Sequence, residues 1–153
     1  MIYISIPGEP VGKGRPKFST FNGRAVAYTP EKTVNFENLV KICYKQQVSE
    51  KPFDKDVQLK AVIIANFAIP KATSKKKREL MLQGFIRPTK RPDLDNIVKA
   101  CLDALNGIAY YDDSQIVELS VCKAYSDEPH TELYIREFLK GRDKNGLSGK
   151  EKP

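Results

Sequence analysis

From Val57 to Ile69 every second residue is apolar: Val57, Leu59, Ala61, Ile63, Ala65, Phe67 and Ile69 share one parity, while Gln58, Lys60 and Asn66 fall on the other. Successive side chains of a strand point to opposite faces, so the pattern predicts a long central strand with one buried face. Such a strand needs neighbours and a covering layer. Ile2, Ile4 and Ile6 alternate with Tyr3 and Ser5 until Pro7-Gly8 breaks the run, which predicts an N-terminal strand. Val117, Leu119 and Val121, then Leu133 and Ile135, predict two closing strands joined by a turn near Glu128-Pro129. Lys123 shares the parity of the first three. Either that strand has left the core by then, or Lys123 reaches the edge of a site.

The covering layer is helical. Thr29-Pro30-Glu31 has the form of an N-cap, a first-position proline and an early acid, and Phe36, Leu39, Val40 and Cys43 recur at helical spacing, predicting a helix over about 30–48. Ser74 caps a short helix through Leu82 whose first turn carries Lys75, Lys76, Lys77 and Arg78. Cations there oppose the helix dipole, a conflict that a nearby phosphate would relieve. A third helix is predicted over 94–106. Helices interleaved with antiparallel strands make an α+β fold with a mixed sheet.

The 153 residues fit one domain, assigned to 1–139; residues 140–153 hold one large apolar side chain, Leu147, and are expected to be a disordered basic tail. Lys and Arg number 26 against 19 Asp and Glu, a net charge of +7 that favours polyanionic partners. The first residues lack the features of a signal peptide and no apolar run could span a bilayer, so a soluble, cytoplasmic protein without a membrane partner is expected. Cys43, Cys101 and Cys122 stand far apart in apolar surroundings and read as reduced packing residues, not as a disulfide framework or zinc site. His130 is the sole histidine, expected to be exposed near a turn, and triad chemistry has little support.

In this basic chain the acids gather at Asp93, Asp95, Asp112 and Asp113. Mg²⁺ takes oxygen ligands, typically one or two carboxylates with waters and phosphate oxygens, so such a cluster points to metal. Pro92 biases Arg91 towards extended backbone, placing Asp93 at a loop end and Asp95 at or beside the N-cap of the third helix. Along that helix Leu94, Val98, Cys101 and Leu105 form the expected apolar stripe, with Asp95, Lys99, Asp103 and Asn106 opposite. Taken singly, Asp95 reads as a cap and Lys99 with Asp103 as an ordinary i,i+4 pair worth a few tenths of a kcal/mol. Together with Asp112 and Asp113, returning after Asn106-Gly107, they make a metal cage conceivable. Gly8 to Lys17 adds a loop with glycines and the cations Lys13, Arg15 and Lys17, which reads equally as a close approach to phosphate, though without Walker A spacing, or as a solvated hairpin connection.

Arg91-Pro92-Asp93-Leu94-Asp95-Asn96, Lys99-Ala100, Asp103-Ala104-Leu105-Asn106-Gly107 and Asp112-Asp113-Ser114-Gln115-Ile116 resemble RusA, the Holliday junction resolvase family of bacteria and their phages. The early Gly12-Lys13-Gly14-Arg15-Pro16 and the basic helix resemble it as well. The resemblance implies a Mg²⁺-dependent endonuclease, with Mn²⁺ able to substitute, that works as a homodimer and nicks two opposed strands of a four-way DNA junction. It implies catalytic, metal-binding roles for Asp93, Asp95 and Asp113, a catalytic Lys99, and an Asp112 that joins them, caps a turn or orients its neighbour. Lys13, Arg15, Lys17, Lys75, Lys76, Lys77, Arg78, Lys90 and Arg91 are then candidates for holding junction arms through phosphates. The rival expectations are a nuclease for flaps or forks and a junction-binding protein without catalysis. A calcium-stabilised structural domain finds no EF-hand spacing here.

Overall fold

The alternating segment forms a strand, and its odd-numbered face is the core. Leu59, Ala61, Ile63 and Ala65 are fully buried and Phe67 nearly so, and each large apolar side chain so buried contributes about 1.5–3 kcal/mol. In the computed structural model, which describes residues 1–139, the elements in chain order are β1 (Ile2–Pro7), β2 (Lys17–Phe21), β3 (Arg24–Tyr28), α1 (Glu31–Gln47), β4 (Leu59–Ala68), α2 (Lys75–Leu82), α3 (Leu94–Leu105), β5 (Ile116–Ser126) and β6 (His130–Glu137). The tail expected to be disordered, 140–153, lies outside the described residues.

The main sheet runs β1-β6-β4-β5, with β4 antiparallel to β6 and parallel to β5, so the sheet is mixed and β4 is central. The two closing strands do not pair with each other, because β4 is inserted between them; the Asp127-Glu128-Pro129 turn carries the chain past the end of β4. The register places Ile4, Leu133, Ile63 and Val121 in one row of the buried face and Ile6, Thr131, Ala65 and Lys123 in the next. A bulge where Leu59 pairs with Ile116 but Lys60 with Glu118 leaves Val117 without a partner. On this edge strand Val117 and Leu119 are exposed, against the expectation of a fully buried face.

Helices α1 and α3 pack on one another, α1 also meets β1, and α2 leans on β5. The buried face of α3 consists of Ile97, Ala100, Cys101, Leu102, Ala104 and Leu105. This corrects the predicted stripe: Leu94 begins the helix beyond the core edge and is exposed, and Val98 is half-buried. Pro30, not Thr29, occupies the N-cap of α1. The cysteines are free; Cys43 and Cys101 are buried and Cys122 half-buried, and burial pushes the Cys101 thiol up to about 12. His130 is not simply exposed, since Nδ1 lies 2.8 Å from the Glu128 carbonyl and Nε2 3.2 Å from both Asn66 and Glu132. No helix among the described residues is long and apolar enough to cross a membrane.

Candidate active site

The loop between β1 and β2 is laid across the N-terminal ends of α1 and α3. The Lys13 amide donates to the Asn96 carbonyl at 2.8 Å, and the Gly14 amide donates to Thr33 Oγ1 at 2.9 Å. Both glycines serve close packing: a Cβ on Gly12 would lie 2.6 Å from Pro92 Cβ, and one on Gly14 would lie 2.8 Å from Pro30 Cγ. The expectation that these glycines admit phosphate is thus replaced by one in which they admit protein. Between loop and helix lies a groove of about 580 Å³, whose lining includes Lys13, Arg15, Lys32, Arg91, Asp93 and Asn96.

Lys13, expected to reach phosphate, is instead held by two carboxylates, Glu37 Oε1 at 2.5 Å and Asp103 Oδ2 at 3.0 Å. Burial alone would lower its pKa, but the two carboxylates outweigh that effect and hold it raised. One side chain thereby links the loop, α1 and α3. Asp103 is consequently taken from the pair predicted with Lys99, whose ammonium lies 3.5 Å from Asp95 one turn below. Both members of that pair are well exposed, and exposed pairs are worth at most about 1 kcal/mol. A substrate phosphate could therefore take Lys99 at little cost.

Asp93, not Asp95, occupies the N-cap position of α3, two residues earlier in the chain, yet its side chain accepts no capping hydrogen bond. Asp95 follows in the first turn. Two exposed carboxylates thus stand at the groove end of α3, and the first is not engaged in capping.

Beyond α3, Tyr110 is buried and its hydroxyl donates to the Leu102 carbonyl at 2.7 Å, anchoring the return of the chain. Burial pushes its phenol well up, and the charges of Asp113 and Asp103 push it further. Asp113 then opens a 3₁₀ turn, Asp113–Gln115. Gln115 fixes the turn: its Oε1 accepts from the Tyr111 amide at 2.8 Å and the Asp112 amide at 3.2 Å, and its Nε2 donates to the Asp54 and Val57 carbonyls at 2.8 and 3.1 Å. Ser114 Oγ donates to Asp112 Oδ2 at 3.0 Å, so Asp112 takes part in the turn itself. That hydrogen bond, and one shared with Asp113, hold the Asp112 carboxyl below its ordinary value. Asp113 is shifted up by partial burial, by the hydrogen bond and charge of Asp112, and by the charge of Asp103.

Asp113 thus feels the charge of Asp103, which lies two turns, roughly 12 Å, along α3 from Asp95. Among the described residues no three His, Cys, Asp or Glu side chains group closely enough to hold a metal ion. The closed cage conceived from the sequence is therefore not preformed. Mg²⁺ does not require one, since it keeps several waters and is commonly held by one or two carboxylates and substrate phosphate. The donor set fits that chemistry: it is all oxygen, and Asp93 is left uncapping beside a cationic groove.

The raised Asp113 yields a stability prediction. A carboxyl whose folded pKa lies above its unfolded value favours folding while protonated, and that contribution is lost as pH rises through the carboxylate range. At neutral pH without divalent cations, Asp113→Asn should therefore raise the melting temperature modestly, and the gain should vanish at pH below the carboxylate range. A thermal melt at each pH checks this; a neutral-pH loss of stability would contradict it.

The remaining predicted cations divide. Arg15 and Arg91 line the groove; Lys17 is exposed on β2; Lys75, Lys76 and Lys77 are exposed on the first turn of α2, capped by Ser74. Arg78 is paired with Asp127 and is thus committed to the turn before β6. Lys90 Nζ lies 5.1 Å from the Phe67 ring, with Lys123 Nζ 5.7 Å from the same ring. Lys123 donates to the Lys90 carbonyl at 2.6 Å, while Arg87 donates to the Lys123 carbonyl at 3.3 Å. These reciprocal bonds tie β5 to the segment leading into Asp93. Lys123 thus reaches the segment that leads into Asp93. Lys123→Ala should lower turnover several-fold with little change in melting temperature; equal turnover would argue against this positioning role.

Lys32, Asn96, Glu37 and Arg87 were not expected. Lys32 carries a legible signal, a cation in the first turn of a helix, as on α2. Nothing in the spacing announces Glu37 or Arg87, and Asn96 stands out only as the last residue of the Arg91–Asn96 motif.

Residues 7–136 match the family model described as Endodeoxyribonuclease RusA. The chain is 40% identical over 136 residues to the uncharacterized protein YqaN of Bacillus subtilis (strain 168), covering 89% of this chain and 96% of that protein. It is 36% identical over 96 residues to the crossover junction endodeoxyribonuclease rusA of Lactococcus phage r1t, covering 60% of this chain and 66% of that protein.

Proposed function

The chain belongs to the RusA endodeoxyribonuclease family, and from that premise we propose that it resolves four-way DNA junctions by paired, Mg²⁺-dependent nicks. The observation that carries the reading is Asp93: a helix-start carboxylate not engaged in capping, on the wall of a groove lined by Arg15, Lys32 and Arg91. Acid for a cation and cations for phosphate there share one surface. We assign the activity to residues 1–139 and expect it in the cytoplasm, where its DNA substrate lies.

Asp93, Asp95 and Asp113 are the residues that would hold Mg²⁺, with Mn²⁺ as a substitute. A bound ion lowers the pKa of its water and stabilises charge on the phosphoryl oxygens. The protein's own groups do the rest. Arg15, Lys32 and Arg91 hold the scissile strand by its phosphates and so without reading sequence. Lys99 exchanges its weak pair with Asp95 for the phosphate, neutralising charge as it develops. Lys13 keeps the loop on α3 through Glu37 and Asp103. The Asp112 turn orients Asp113.

Paired incision calls for two sites related by a two-fold axis, matching the near two-fold symmetry of the junction, so we propose that the working form is a C₂ homodimer. A labelled four-way junction, a replication fork and a flap of matched sequence, each incubated with Mg²⁺, separate this reading from a general branched-DNA nuclease. Symmetric nicks in opposed strands of the junction, with forks and flaps cut far more slowly, are expected. Equal cutting of all three would replace junction resolution by branch cleavage.

A further inference from the structure

We propose that the β2–β3 ribbon is a branch-point arm, an aromatic and cationic platform that stacks unpaired bases beside the active groove. The proposal rests on the reading of the chain as a branched-DNA endonuclease and names how that site would choose its substrate.

The ribbon is built locally. Asn22 and Gly23 have φ of 49° and 76°, both in the left-handed region, as the two-residue turn of a tight hairpin requires. The two strands pair only with each other, and every residue in them is exposed. Phe18 and Phe21 are 74% and 70% exposed, and Val26 and Tyr28 are also open to solvent. A lone hairpin is marginally stable in water, and an exposed apolar cluster on one marks a contact surface.

Charge and register identify what it contacts. Lys17 pairs with Tyr28, Ser19 with Val26 and Phe21 with Arg24. Residues directly opposite share a face, so one face carries an aromatic ring beside a cation at each end. Between Glu9 and Glu31 the sequence contains no acid, while Lys13, Arg15, Lys17 and Arg24 are all cationic. Two copies meeting through such a surface would bring like charges together, whereas a polyanion with exposed bases satisfies both features. Proteins that hold single strands combine these two elements, a positive track for the backbone and rings on which any base can stack. The ribbon leaves the body at Arg15 and returns at Pro30 and Lys32, two of which line the groove.

The test uses the full chain in EDTA, where binding is read without cleavage. The probes are a four-way junction with 2-aminopurine at the branch point and a linear duplex of the same sequence. Phe21→Leu with Tyr28→Leu keeps apolar area but removes the rings, and Arg24→Ala removes one cation. The double variant is expected to lose about tenfold or more in junction affinity, to lose the branch-point fluorescence change, and to bind duplex nearly as before. Its melting temperature and its size in solution should match those of the parent. Unchanged junction affinity in both variants, an equal loss on duplex, or an altered oligomeric state would each overturn the proposal, the last by making the ribbon a protein interface. If the parent binds no junction, the junction-resolving reading itself fails and the arm fails with it. If the parent binds the junction and both variants bind it as tightly, only the arm fails.

Discussion

Replacing Asp93 by Asn is expected to reduce metal-dependent cleavage by at least about a hundredfold while leaving fold and DNA binding intact. Asn caps helices as well as Asp does, so a capping role would leave activity unharmed by this change. In the structure the side chain makes no capping bond, and even Asp93→Ala should cost less than the roughly 1 kcal/mol of a lost cap. The paired variants thus separate two roles that share one position. Full activity in Asp93→Asn, or a marked drop in melting temperature in Asp93→Ala, would return Asp93 to the status of a structural cap.

Gly12→Ala should be nearly as damaging, for a steric reason. The added methyl would lie 2.6 Å from Pro92 Cβ, a distance that non-bonded carbons essentially never share, and 3.0 Å from Asn96 Cβ, tighter than most such contacts. The proline ring cannot rotate aside, so the loop must lift from α3. Lifting it strains the Lys13 to Asn96 backbone hydrogen bond and moves the Lys13 ammonium away from Glu37 and Asp103. Misplacing catalytic groups by about 1 Å can cost on the order of a hundredfold in rate. Cleavage by Gly12→Ala should fall by roughly that factor, with a smaller loss of stability. Gly8→Ala is a useful contrast: no atom lies within 4 Å of its added Cβ, so only its positive φ opposes the change and the groove should keep its shape. Similar cleavage losses in the two variants would show that packing at Gly12 is not what sets the groove.

The central strand was legible because period-two alternation reports which side chains share a face. The same parity correctly put Lys123 on the helix-covered side with Val121. Parity does not report which strands are neighbours. That is why the insertion of β4 between β5 and β6, and the exposure of Val117 and Leu119 at a bulged edge, required the structure. Residues 18–28 drew no expectation, although Asn22-Gly23 between alternating residues is a strong hairpin signal. The acids at Asp93 and Asp95 were legible as a pair at a helix start. The partners of Lys13 were not, because Glu37 and Asp103 come from two other elements and only the tertiary fold brings them together. The same holds for Asp113, which feels the charge of Asp103 from another element.

The measurement that tests the central claim most directly is cleavage of a labelled four-way junction beside its linear duplex, with Mg²⁺ or EDTA, by the parent and by Asp95→Asn. The account predicts symmetric nicks in the junction alone, requiring Mg²⁺ and absent in the variant even though it still binds. A junction bound tightly by the parent yet never cut with Mg²⁺ or Mn²⁺ would contradict it and leave a binding protein built on a nuclease fold.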